Sequence, residues 1–311
     1  MTRRTPLNRA QRALARPPRE RFATQTLAFD VDGERCCGTL VRPSGVDDPP
    51  VVVMGPGLGA TRGFGYRAVA ERFAVGGRAA FVFDYRGFGD TAGTDRLIHP
   101  ERQRADYVGA LDRLTRVDGL GTERVLWGTS LSAGHSLVLA ADRQDIDAVL
   151  AMSPVLDWRR VIRARGGRYL ARAAAAVARD RLGSRLGRGI TIPIVEEPGS
   201  LAVLTEPGVR RGYLDLVDRE QEWRNETPAR SLSLLGRYRP IEHVEQIRVP
   251  TLLLGGVDDP LVSPPVMRAT GERLDRGTII TMPGTHVSPL GSRFEAAIEY
   301  QRAFLRDVLG D

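Results

Sequence analysis

From residue 24 onward the chain alternates between two hydrophobic patterns. Uninterrupted apolar runs, "PPVVVM", "AAFVFDY", "ERVLW" and "DAVLAMSP", are separated by stretches with apolar positions three and four apart, such as "GYRAVAERFAVGG", "PERQRADYVGALDRLTRV" and "LSAGHSLVLAADR". A strand that is apolar on both sides has to be covered on both faces, and amphipathic helices are what cover it. The pattern predicts a doubly wound, mostly parallel α/β sheet. Ahead of it, "TQTLAFDVDGERCCGTLVRP" holds two β-rich runs around Asp32-Gly33, the signature of an antiparallel hairpin.

After Pro154 the strand rhythm stops. An Arg/Ala-rich helical stretch, "DWRRVIRARGGRYLARAAAAVARDRL", gives way to Pro/Gly-broken sequence, so residues 155–244 are read as an inserted, mainly helical cap. The rhythm resumes at "IRVPTLLLGGVDDP", then a short helix near "SPPVMRATGERL", a strand "GTIITMPGTH" and a closing helix "RFEAAIEYQRAFLRDVL". The core is thus expected over 24–154 and 245–311. Residues 1–23, basic and without an apolar face, read as a mobile arm.

Composition narrows the classes. A chain of 311 residues with 42% hydrophobic content can bury one large α/β core with an insertion. Its two cysteines, Cys36 and Cys37, are adjacent, which excludes a disulfide framework and offers no spaced metal ligands. They read as small buried hydrophobes. Without a disulfide pattern, a signal-type stretch or a run of membrane-spanning length, the expectation is a cytoplasmic protein with no membrane partner. The net charge of +7 comes from a chain whose 45 basic residues are all arginine. That uniformity reflects codon usage more readily than a phosphate-binding surface, and no nucleic-acid motif accompanies it.

The chemistry centres on "VLWGTSLSAGHSL", where Ser130 lies between a strand and a helix. Gly-x-Ser is weak alone, but Gly128, Ser132 and Ala133 are the unbulky neighbours that a nucleophile at a sharp strand-to-helix turn requires. A serine hydroxyl needs a histidine to take its proton and a carboxylate to orient that histidine. Four histidines exist, His99, His135, His243 and His286, and His286 alone directly follows a strand, the last one. Asp259, after the penultimate strand, is the preferred acid. Asp258 suits a turn cap, and Asp157, after "AMSPVL", is the rival acid.

These residues, with "GLGATR", "DYRGFGD", "WRNETPAR", "VDDP" and "GTH", resemble an α/β-hydrolase of the serine type, most similar to capped dienelactone-hydrolase, serine-aminopeptidase and X-Pro-peptidase-like groups. The order Ser130, Asp259, His286 is the order of that fold. The resemblance implies an α/β-hydrolase fold and an oxyanion hole from the backbone amides of Leu58 and Leu131. Two positions depart from the common pattern: Pro56-Gly57 stands where many relatives have His-Gly, and Ser132 replaces a commoner glycine.

The expected function is cleavage of a carboxylic ester, thioester or amide through an acyl-enzyme on Ser130, acting on a small acyl substrate without metal or organic cofactor. Acyl transfer by the same triad and a non-catalytic, hydrolase-like scaffold are the alternatives. "GPGLGA" at 55–60 also fits a dinucleotide fingerprint, with Asp84 placed for a ribose and Arg86 for a phosphate, which makes an NAD(P)-binding oxidoreductase a further alternative. Against it, Pro56 removes an amide and two antiparallel strands precede the motif. Asp84 and Arg86 read instead as a turn and ion-pair device, the arginines from Arg159 to Arg188 as a solvated helix face, and Trp158, Tyr213 and Trp223 as cap–core packing. Either a monomer or a homodimer is compatible with the sequence.

Overall fold

Asp32 and Gly33 both take positive φ, 51° and 79°, the backbone of a two-residue hairpin loop, and join strands β1 (Phe22–Val31) and β2 (Glu34–Pro43). In the computed structural model, which describes residues 21–91, 93, 95–217 and 223–310, this hairpin is one edge of an eight-stranded sheet. Most of the arm assigned from sequence to 1–23 lies outside the described residues. Phe22 and Ala23 are already in β1, because Phe22 pairs with Pro43 and is buried.

The alternation then continues as β3 (Val51–Gly55), α1 (Tyr66–Val75), β4 (Ala79–Phe83), α2 (Pro100–Leu114), β5 (Arg124–Thr129), α3 (Leu131–Asp142) and β6 (Ala148–Met152). Between β6 and the next strand of the sheet come α4 (Trp158–Arg163), α5 (Gly166–Ser184), β7 (Thr191–Ile192), α6 (Val209–Leu216), β8 (Thr227–Pro228) and α7 (Ser231–Leu235), with β7 and β8 forming a separate two-stranded ribbon. The sheet resumes with β9 (Thr251–Gly256), α8 (Pro264–Gly271), β10 (Gly277–Met282) and α9 (Phe294–Leu309). Strand order is β1-β2-β4-β3-β5-β6-β9-β10, parallel from β4 to β10. Every residue of β3, β4, β5, β6 and β9 is buried, which is why those segments are apolar without alternation; the edge strands β1 and β10 expose part of theirs.

Asp84 and Arg86 are spent on ion pairs. Asp84 accepts from the Arg62 backbone and its Nε, both at 2.7 Å, while Arg86 Nε meets Asp106 Oδ1 at 2.5 Å with both side chains at 2% exposure or less. The helix that follows "GPGLGA" starts only at Tyr66, so its N-terminus does not open directly on that loop as the fingerprint requires. Cys36 is buried, Cys37 half-buried, and both are free thiols. No helix among the described residues is long and apolar enough to cross a membrane.

One buried titratable group ties α3 to the segment returning from α7. His135 Nδ1 lies 2.7 Å from the Tyr238 hydroxyl and Nε2 lies 3.2 Å from Gln103 Oε1. Since the amide oxygen only accepts, Nε2 carries the proton and Tyr238 donates to Nδ1. Burial, with a smaller contribution from Arg104, pushes the imidazole down to about 3, so it stays neutral in the fold. A histidine depressed in this way contributes stability that is complete above the unfolded value near 6.5 and is lost as pH falls toward about 3, because the unfolded chain takes the proton first. Urea unfolding at pH 6.5 and 5.0 should show a loss of about 2 kcal/mol from this group. The loss should shrink in His135→Gln; an equal pH slope in both proteins would remove His135 as its source.

Candidate active site

Ser130 separates β5 from α3 at φ 56° and ψ −114°, a backbone that a non-glycine residue adopts only under constraint from its surroundings. Its amide donates to Met152 O at 2.9 Å on β6, and its carbonyl accepts from Val155 at 3.3 Å. Gly128 is required beside it, because a Cβ there would collide with the Ser132 carbonyl of the incoming helix. The Ser130 hydroxyl does not cap α3; it lies 2.9 Å from His286 Nε2.

His286 and Asp259 come from loops after β10 and β9, and the two loops are bonded to each other. Val257 N donates to Met282 O at 2.9 Å and Asp258 N to Gly284 O at 3.0 Å. Gly256 permits this approach, since a Cβ there would run into the Gly284 carbonyl. His286 Nδ1 then lies 2.7 Å from Asp259 Oδ2, while Asp259 Oδ1 accepts from the amides of Leu261 at 2.8 Å and Val262 at 3.1 Å. A carboxylate that only accepts places the imidazole proton on Nδ1 and leaves the Nε2 lone pair toward Ser130. Ser153, at the end of β6, donates to the His286 carbonyl at 2.9 Å. Ser130, Asp259 and His286 are each buried.

The rival acid is elsewhere: Asp157 caps α4 by accepting from Arg160 N at 3.0 Å and pairs with Arg239 at 3.2 Å. Asp258 is exposed. His99 caps α2, His135 is buried in α3 and His243 sits in the run back to β9.

The loop after β3 carries the Leu58 amide, and it is fixed at almost every peptide. Ser132 donates to the Pro56 carbonyl and in turn accepts from the Tyr85 hydroxyl at 2.7 Å. Gly57 N donates to the Tyr66 hydroxyl at 2.9 Å, and Ala60 N closes a turn onto Gly57 O at 3.1 Å. Tyr213 of α6 donates to the Leu58 carbonyl and Trp223 Nε1 to the Gly59 carbonyl at 2.8 Å. Both rings stack edge-on or tilted with Phe64 and with each other. Among the described residues no acceptor engages the Leu58 or Leu131 amide, and Leu131 is the first residue of α3, where the helix dipole adds positive potential. Sequence reasoning placed Tyr213 and Trp223 in cap–core packing and missed their polar tips; the available signal was that buried Tyr and Trp need a partner for O–H or N–H.

A cavity of about 460 Å³ lies on the acid side of this cluster. Val155, Leu156, Val161, Leu261 and Val262 line it with Asp259, and Arg160 stands in its wall.

A parallel sheet whose carboxyl edge brings serine, histidine and aspartate together defines the α/β-hydrolase class. Residues 49–285 match the profile of the serine aminopeptidase S33 family, and the chain belongs to that family. It is 30% identical over 285 residues to the quorum-quenching protein AidA of Acinetobacter baumannii, covering 90% of this chain and 94% of that one. It is 24% identical over 315 residues to the thiohydrolase aneE of Aspergillus aculeatus, covering 93% and 95%. Its fold matches the structure of DcsB in complex with a substrate analogue at a TM-score of 0.78 and 21% identity, over 93% of this chain and 100% of that one. The chain is an enzyme of the α/β-hydrolase class, with a hydrolase or related activity.

Removing the Ser132 hydroxyl leaves the buried Pro56 carbonyl and Tyr85 hydroxyl without this partner. Ser132→Ala should lower the urea-unfolding free energy by about 2 kcal/mol; an unchanged midpoint would mean the contact contributes nothing.

Proposed function

We propose that this enzyme cleaves a carboxylic ester, thioester or amide through an acyl-enzyme on Ser130. The observation that carries the reading is the hydrogen-bonded run from Ser130 through His286 to Asp259, at 2.9 and 2.7 Å. His286 Nε2 takes the Ser130 proton as its oxygen attacks the carbonyl carbon, and Asp259 steadies the imidazolium. The amides of Leu58 and Leu131 receive the developing oxyanion. Each such donor is typically worth about 3 kcal/mol in the transition state. Collapse expels the alcohol, thiol or amine, protonated by His286, and water activated by the same histidine then releases the acid. The apolar lining of the cavity beside Asp259 suits the acyl portion. Hydrolysis of thioesters is supported by the thiohydrolase among the relatives and is placed beside that of oxygen esters.

A fluorophosphonate probe should label the protein and fail on Ser130→Ala; equal labelling of the two would end the acyl-enzyme reading. Asp259→Asn should lower kcat by roughly 10³–10⁴-fold, through loss of the correct tautomer, with Asp157→Asn close to wild type. The reverse ranking moves the acid to Asp157. Tyr213→Phe frees the Leu58 carbonyl, and kcat is expected to fall about tenfold with KM little changed. A rise confined to KM would show that Tyr213 touches substrate and leaves the loop alone.

A further inference from the structure

Helix α5 buries one face and leaves an apolar stripe on the other. Tyr169, Ala173, Ala176 and Asp180 point into the molecule. Ala171, Ala174, Ala175, Ala178 and Leu182 recur at the same three- and four-residue spacing on the exposed side. Leu182 is 67% exposed and Leu186, just beyond the helix, 77%, the two highest values among the large hydrophobic residues described. No other large hydrophobic residue among those described exceeds 44%.

Arginines border this stripe on both sides. Arg168, Arg172 and Arg179 flank one edge, Arg181 the other, and Arg185 and Arg188 follow the helix end, all exposed. The preceding helix adds exposed Arg159, Arg160 and Arg163. Between Trp158 and Ile190 the one carboxylate is Asp180, and it is buried, with its oxygens taken by Arg230 and by the amides of Ile190 and Arg230. A solvated face ordinarily mixes both signs. This one is wholly cationic around an apolar centre, the arrangement by which a helix lies in the plane of a membrane interface.

We propose that the outward face of α5, with Leu182 and Leu186 at its end, docks on an anionic lipid surface. The leucines enter the headgroup boundary while the arginines meet lipid phosphates, and their long stems let them stay level with those phosphates as the apolar stripe descends. Charge complementarity selects the anionic surface, and the exposed leucines select a bilayer over a dissolved polyanion, which offers them nothing apolar. The expectation of no membrane partner rests on the lack of a run of spanning length, and a peripheral contact needs no such run. The preceding helix α4 carries Arg160 and Val161 of the wall of the cavity beside Asp259. The inference stands apart from the reading of Ser130.

The test is co-sedimentation of the full chain with phosphatidylcholine vesicles, with and without a minority of phosphatidylglycerol, at low and raised salt. Binding should appear with phosphatidylglycerol and weaken with salt. The pair Leu182→Asp and Leu186→Asp should reduce partitioning on the order of tenfold or more. Arg179→Gln and Arg185→Gln should each reduce it about fivefold. Unfolding midpoint and hydrolysis of a water-soluble ester should be unchanged in all of them, which separates lost docking from lost folding. The proposal fails if anionic vesicles do not bind. It fails equally if the aspartate pair binds as wild type, since that is attraction to any polyanion, an acidic protein or nucleic acid included. A dimer in solution that the aspartate pair dissolves would give the face to a second copy and overturn it as well.

Discussion

A serine at φ 56° between a strand and a helix is costly, on the order of 1–3 kcal/mol, and persists only where its surroundings leave it no other conformation. Here that enclosure comes from three sides. β6 takes the Ser130 amide through Met152 and Val155 takes its carbonyl, while Gly128 lets α3 come down onto β5. The doubly wound sheet makes this feasible because five buried parallel strands end on one edge, and a turn at the third can be gripped by its neighbour. From the same edge come the loops that bring His286 and Asp259, bonded to each other before either reaches the serine. The hydroxyl geometry is therefore a consequence of strand ends in register, and weakening the grip of β6 on Ser130 would loosen all three residues together.

The two departures from the common family pattern answer each other. Pro56 has no side chain able to brace the loop and no amide to donate, yet its carbonyl still accepts, and Ser132 supplies the donor that a glycine there would lack. Tyr85 completes the relay, and burial keeps its phenol protonated as a donor by pushing its pKa well up. A brace from within the loop is thus replaced by one from the first turn of α3, the helix whose N-terminus carries the Leu131 amide. The two amides proposed to receive the oxyanion are thereby tied to one hydrogen-bonded unit, the pre-organisation that such a role would require.

Much of this was legible in the sequence because it is periodic or local. Apolar runs such as "VVVM" and "AVLAM" reveal burial on both faces, and Asp32-Gly33 reveals its hairpin through backbone preference alone. Ser130, Asp259 and His286 were legible as strand-end residues, since topology turns position after a strand into position in space. What was not legible joins residues with no periodic relation: Ser132 with Pro56, Ser153 with the His286 carbonyl, Tyr213 with Leu58. Such contacts depend on side-chain reach across loops, and a string of residue types carries no distance. The separation of Asp259 from Asp157 is of the same kind. Both follow strands, and the difference arises because Asp157 starts a helix and is consumed as its cap.

The segment between β6 and β9 is coupled to the site through backbone carbonyls rather than through side chains of the serine, histidine or aspartate. Tyr213 and Trp223 hold Leu58 and Gly59, so a shift of α6 changes the direction of the Leu58 amide without touching Ser130. Their rings bury apolar surface against Phe64 at the same time, which makes the polar contact and the packing one event. Loss of that packing would let the carbonyls turn to water and the loop relax. The amide would then remain in place chemically while its aim was lost. A force on this segment from outside, wherever its exposed helices α4 and α5 are engaged, therefore has a physical route to the loop that carries the Leu58 amide, and that route runs through two hydrogen bonds.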